Sequence, residues 1–187
     1  MKNRDKKRAD IADRTAAYML KNGIHAANLR ALANALGTSD RMILHYFENK
    51  DDLMDAAMTN LIQGLVRTFE EMDSPRLPPD ALIPVLAEQF TSPGIRPYVN
   101  LWLELLSLSL HDANGYIQHV RKITDMFHGC ISSLLAVEHE QDREATASYV
   151  LAILDGLILM KATGQQSLID SALAGIAIAA NGASRDS

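Results

Sequence analysis

The sequence predicts an all-α protein of about nine helices, with a three-helix head over residues 1–48 and a helical body over residues 49–187. Three observations carry this expectation. Apolar residues recur in steps of three and four, the period of a helix with one buried face. No Asn-Gly or Asp-Gly turn joins alternating β-branched runs, so hairpins are not signalled. Helix starts crowd the N-terminal end, four of them within the first fifty residues.

A first helix over 4–21 places Ile11, Thr15, Tyr18 and Met19 on one face and stops at Gly23, a residue that tolerates the left-handed closing conformation. Asn28 caps a second helix carrying Leu29, Leu32, Ala33 and Leu36, which Gly37 ends after only nine residues. Thr38 and Ser39 offer oxygens to start a third helix through Tyr46 and Phe47, and Asn49 with Asp52 resembles a capping box for a fourth. The fourth runs to about Met72 with Leu53, Ala57, Leu61, Leu65 and Phe69 on its apolar stripe, until the run from Ser74 to Pro79 breaks it. Helices over 80–91, 96–111 and 115–136 follow, separated by Ser92-Pro93-Gly94 and by Asn114-Gly115. The polar stretch from Glu138 to Asp142 precedes a helix over 143–163 that Gly164 ends. Ser167 with Asp170 caps an Ala-rich last helix ending by Gly182, before a frayed tail.

With 187 residues the chain holds two lobes at most, and no apolar run is long enough to cross a bilayer. The charged start, Met1 to Arg8, is unlike a secretory signal, so the cytoplasm is expected, and a lone Cys130 forms no internal disulfide. A net charge of −5 argues against a nucleic-acid partner until its distribution is considered. Residues 1–60 hold ten Lys and Arg against eight Asp and Glu, whereas residues 61–187 hold eight against fifteen. Within the positive end, Lys2, Arg4, Lys6, Lys7 and Arg8 form a cluster that could lie along a phosphate backbone.

Residues 28–47 have the parts of a helix-turn-helix: a short positioning helix, a tight turn and a recognition helix sized for the major groove. Leu32 and Ala33 face inward, Gly37 makes the turn, and Ile43 with Phe47 anchors the second helix. The opposite face then offers Asp40, Arg41, Met42, Leu44, His45 and Tyr46 to DNA, with Arg30 on the outer side of the positioning helix. Arg41 can donate to guanine or phosphate and Tyr46 to phosphate; Lys50 adds charge beside amides at a helix N-terminus.

Gly23, the run Leu29-Arg30-Ala31-Leu32-Ala33 ending at Leu36-Gly37, Ser39, and the run from His45 through Leu53 resemble the TetR family of bacterial regulators, in order and spacing, over about residues 10–55. The resemblance implies that Tyr46 and Lys50 grip phosphates and that Arg30, Ser39 and the face from Asp40 to His45 touch DNA. It also implies a homodimer whose body binds a small molecule that alters DNA affinity. Three positions depart from the family pattern: Asp40, Arg41 and Leu44. Asp40 suits helix capping and cytosine readout alike, and Leu44 suits a thymine methyl or packing against the first helix.

The resemblance further implies a dimer interface from the last two helices, through Tyr149, Ile153, Leu157, Met160, Leu168, Leu173 and Ile176. A ligand cavity would draw on Phe69, Tyr98, Asn100, Trp102, Glu104, Met126, Phe127 and His128, a mixture that suits an apolar or amphipathic effector. An enzyme is not expected. The chain has no Glu-x-x-His pair for a di-iron site, no Gly-rich phosphate loop and no His-Glu-x-x-His motif, and Glu138-His139-Glu140 reads as a solvated loop, so neither metal nor cofactor is anticipated. The expected function is a sequence-specific DNA-binding regulator, a repressor released from a palindromic operator by its effector; the alternative is a helical protein-interaction module without DNA binding.

Overall fold

The computed structural model describes residues 2–70, 75–110 and 115–183, with side chains described except for residues 2, 68–70 and 179–183. The proposed end of the fourth helix at Met72, Ser74, Asn114, the tail and the Phe69 side chain lie outside the described residues. Among these residues the structure is all-α, with nine α-helices in the expected order and one 3₁₀ turn over Glu140–Asp142. The helices are α1 (Lys2–Asn22), α2 (Leu29–Leu36), α3 (Asp40–Tyr46), α4 (Lys50–Glu70), α5 (Pro79–Gln89), α6 (Arg96–Ser109), α7 (Tyr116–Leu134), α8 (Arg143–Ala162) and α9 (Gln166–Ala183).

The chain groups into two compact units, one of residues 1–71 with 97–124 and one of residues 72–96 with 125–187. In the first unit α1 packs along α4, and α2 and α3 close against α1. Its core is apolar on the periods read from the sequence: Ile11 and Met19 on α1, Leu32 and Ala33 on α2, Ile43 on α3, and Leu53, Ala57, Leu61 and Leu65 on α4 are all buried. Two polar ties join later helices to this core. Buried His119 on α7 places Nε2 2.8 Å from Asp55 Oδ1 on α4. Glu104 on α6 accepts hydrogen bonds from the backbone N–H groups of Ile24 at 2.9 Å and His25 at 2.8 Å.

In the second unit α5 packs on α8 and α9, burying Leu82, Ile83 and Leu86 with Ala147, Val150, Leu154, Leu157 and Ile169. Arg143 closes the C-terminal end of α7, donating to the carbonyls of Ser132 and Leu135, both at 2.8 Å, while its other nitrogens fork onto Glu140. The stretch Glu138 to Asp142 is exposed throughout, as a solvated connection is, and ends in the 3₁₀ turn. The last helix starts earlier than its sequence signal. Ser167 lies inside α9, its carbonyl accepting from Ser171 Oγ, and Asp170 accepts from the Gln166 side chain, so the two do not form the expected cap.

One difference concerns α8. The segment Glu140–Ala162 is long and apolar enough to cross a membrane by length and composition, its most apolar 18-residue stretch having a mean hydropathy of 1.5, because its charges gather at its ends and Asp155 alone interrupts the middle. Asp155 is half-buried, and burial pushes its carboxyl up to about 6. This folded value lies above that of an unfolded Asp, so the ionised form is the one the fold disfavours. The stability cost is absent below about pH 4, grows as pH rises toward 6 and is constant above. Replacing Asp155 by Asn is expected to raise the melting temperature at pH 8 and leave it nearly unchanged at pH 4; an equal gain at both would contradict the burial cause.

Candidate nucleic-acid interface

The interface is set by three caps. Asn28, in extended backbone, accepts from Ala31 N–H at 2.9 Å and starts α2. Gly37 ends it in the left-handed region (φ 68°, ψ 38°), and the N–H of Thr38 returns to the Ala33 carbonyl at 2.9 Å. The chain is then only two residues from α3, which Ser39 begins by accepting from Met42 N–H at 3.2 Å. Ser39 takes the cap, which leaves Asp40 exposed in the first turn. At the far end Asn49 Oδ1 accepts from Asp52 N–H, and Asp52 Oδ2 accepts from Glu48 N–H, so α4 starts within a closed set of hydrogen bonds.

Helix α3 is held by one side. Ile43 and Phe47 are fully buried, and the Arg8 guanidinium lies 4.6 Å from the Phe47 ring centre. Asp40, Arg41, Met42, Leu44 and His45 are exposed on the other side, with Tyr46 half-buried at its edge. Ser39, Arg41, Met42, Leu44, His45 and Tyr46 line one open depression of about 760 Å³. Leu44 is 43% exposed. Arg30 is exposed on α2 and Lys50 half-buried at the start of α4, and neither lines that depression. The Glu48 and Asp52 amides beside Lys50 are already engaged.

Part of the basic cluster has a role that composition did not signal. Arg8 turns inward and pairs with Asp52 at 2.5 Å, and Arg4 donates to the His45 carbonyl at 3.2 Å, at the last turn of α3. Arg14 likewise donates to the Leu36 carbonyl, at 2.9 Å, closing the end of α2. These arginines position the two helices, while Lys6 and Lys7 stay exposed.

The residues expected around an effector are divided between the units. Tyr98, Asn100, Trp102 and Glu104 belong to the first, and Met126, Phe127 and His128 to the second. Both carboxylate oxygens of Glu104 accept from the backbone of the α1–α2 turn. Tyr98 packs toward Gly64 of α4, Asn100 is exposed and Trp102 half-buried. Phe127 meets Phe90 edge-on at 5.7 Å, Met126 accepts a contact from Cys130, and His128 bonds Ser148 Oγ at 3.1 Å.

Residues 11–57 match the profile of the bacterial regulatory proteins of the tetR family. Over 162 residues, 83% of this chain and 82% of the relative, the sequence is 30% identical to the HTH-type transcriptional regulator BetI of Burkholderia lata. The chain belongs to the TetR family. Two solved structures share this TetR fold at 20% identity. A transcriptional regulator from Rhodococcus sp. Rha1 superposes with a TM-score of 0.66 over 92% of this chain and 91% of its own. The multidrug binding protein EbrR complexed with proflavin does so at 0.65, over 92% and 99%. As a member of the TetR family the protein is a DNA-binding transcriptional regulator.

Proposed function

We propose that this regulator acts in the cytoplasm as a homodimeric repressor that binds a palindromic operator and leaves it when its body takes up a small apolar or amphipathic molecule. The head, residues 1–48, reads DNA, and residues 49–187 bind effector and pair the protomers. The observation that carries this reading is the two-sided character of α3, buried through Ile43 and Phe47 and open from Arg41 to His45. Membership of the TetR family weighs against an interaction module that has lost DNA binding.

Pairing is supported by the outward apolar residues of α8 and α9. Tyr149 and Leu168 are 54% and 51% exposed, and Ile153, Met160, Leu173 and Ile176 are half-buried. Leu157, only 5% exposed, is spent within the core of its own unit and leaves this set. Two paired heads can meet successive major grooves about 34–36 Å apart. An effector of mixed character is supported by a relative in fold, EbrR, solved with proflavin. Its action requires different affinity for the DNA-bound and released states.

Selection of bound duplexes from a random library tests the reading. Tyr46→Ala and Lys50→Ala are expected to weaken binding on all sequences, with Lys50→Ala lowering the salt slope by about one. Arg41→Ala is expected to cost about 1–3 kcal/mol on the selected operator and to relax one base position. Equal losses on operator and random duplex for the Arg41 variant would overturn its role as a base reader.

A further inference from the structure

Seven residues make α3, and at about 100° per residue its outer side chains follow one another around the helix in the order Asp40, Leu44, Arg41, His45, Met42, Tyr46. Arg41 and His45 therefore project furthest from the buried Ile43, with Leu44 on one flank and Met42 on the other. Both flanking residues are exposed, at 43% and 47%. Among the described residues of the first unit, the one other exposed large apolar side chain is Leu110, outside the head.

We propose that Leu44 and Met42 make this protein a reader of pyrimidine C5-methyl groups, each half-site placing such a methyl against one or both flanks of α3 beside the base that Arg41 contacts. The inference rests on the docking of α3 in the major groove described above. An aliphatic side chain neither donates nor accepts, and phosphates and base heteroatoms give it no return for the water it loses. The thymine methyl is the apolar group that base edges present in the major groove. The alternation of Leu44 and Met42 with the donors Ser39, Arg41, His45 and Tyr46 in one open depression suits a base edge, where polar and apolar groups lie side by side. A methyl covered by one aliphatic side chain accounts for about a threefold to tenfold change in affinity.

The reading extends to cytosine. A 5-methylcytosine carries the same methyl in the same place, so methylation at a position facing Leu44 or Met42 alters binding without altering sequence.

The test uses the full-length protein and a duplex selected from a random library. Each thymine is replaced in turn by deoxyuridine, which removes the methyl and keeps every hydrogen-bonding group. Wild type is expected to lose about threefold to tenfold at one or two thymines per half-site. Leu44→Ala or Met42→Ala, each folded by circular dichroism, is expected to bind the thymine and uracil duplexes alike at the position its residue covers. With a cytosine–guanine pair placed there, 5-methylcytosine is expected to bind wild type more tightly than cytosine. If every uracil duplex binds like its parent, or if the uracil loss persists unchanged in both variants, methyl reading is wrong while operator binding stands. If selection enriches no sequence at all, the base-reading function fails, and this inference with it. Loss of self-association or of a protein contact in the Leu44 and Met42 variants, with operator binding unaffected, assigns the flanks to a protein partner and overturns the proposal.

Discussion

Phe47→Ala is expected to cost about 3–5 kcal/mol and to abolish operator binding. The ring is 2% exposed, and its residue ends α3 in extended backbone (φ −125°, ψ 143°), its N–H donating to the Ile43 carbonyl at 3.1 Å. Truncation leaves a cavity among side chains that cannot all follow the loss, and it removes the face that holds the Arg8 guanidinium. A small domain has about 5–15 kcal/mol of stability in total, so one such cavity takes a large share. Arg8 also pairs with Asp52, whose carboxylate receives Glu48 N–H; a displaced Arg8 therefore disturbs the start of α4 as well. Urea unfolding should show the lower midpoint, and Phe47→Leu should recover most of it. A Phe47→Ala protein with wild-type midpoint and operator affinity would refute this account of how α3 is held.

The second large effect is expected at Gly23 and Glu104, and it is expected to be non-additive. Gly23 has φ +83°, and a Cβ built there would lie 2.8 Å from Glu104 Oε2 and 3.3 Å from Oε1. Gly23→Ala therefore incurs about 1–2 kcal/mol from the left-handed backbone and forces away the carboxylate that serves Ile24 and His25. Glu104→Ala leaves those two N–H groups without their charged acceptor, at about 1.5–3 kcal/mol for each bond that water does not replace. In the double variant the collision is gone, because nothing remains for the new methyl to strike. Its cost should fall short of the sum of the single costs by about 1 kcal/mol or more, measured as a double-mutant cycle in urea. Strict additivity would mean that the close approach at Gly23 carries no energy.

These two sites show what kind of information the chain reveals at first reading. Asn28, Gly37 and Ser39 were legible because each acts on backbone within three or four positions, where spacing along the sequence is spacing in the helix. Ile43 and Phe47 were legible by the same local period. Glu104 was not. Its partners are main-chain amides about eighty positions earlier, and every residue but proline carries that donor, so no pattern of side chains announces the pairing. Arg8 was hidden for a related reason: within a basic cluster, composition does not say which member turns inward to a carboxylate and an aromatic ring. The α9 start was misplaced because Ser167 and Asp170 have cap chemistry at cap spacing while the helix already runs through them. Asp155 is the single charge in the middle of an apolar helix, and only the fold shows that burial disfavours its ionised form.

On α3, the residues that anchor and the residues that face outward form two separate sets. Ile43 and Phe47 settle whether the helix is in place, and positions 41, 42, 44 and 45 can change without opening a cavity beneath them. Lineages that carry this architecture can thus drift to new target genes through substitutions that selection on folding does not see. The departures at Asp40, Arg41 and Leu44 all fall on that permissive side, where a regulator acquires a different set of addresses while its scaffold stays the same.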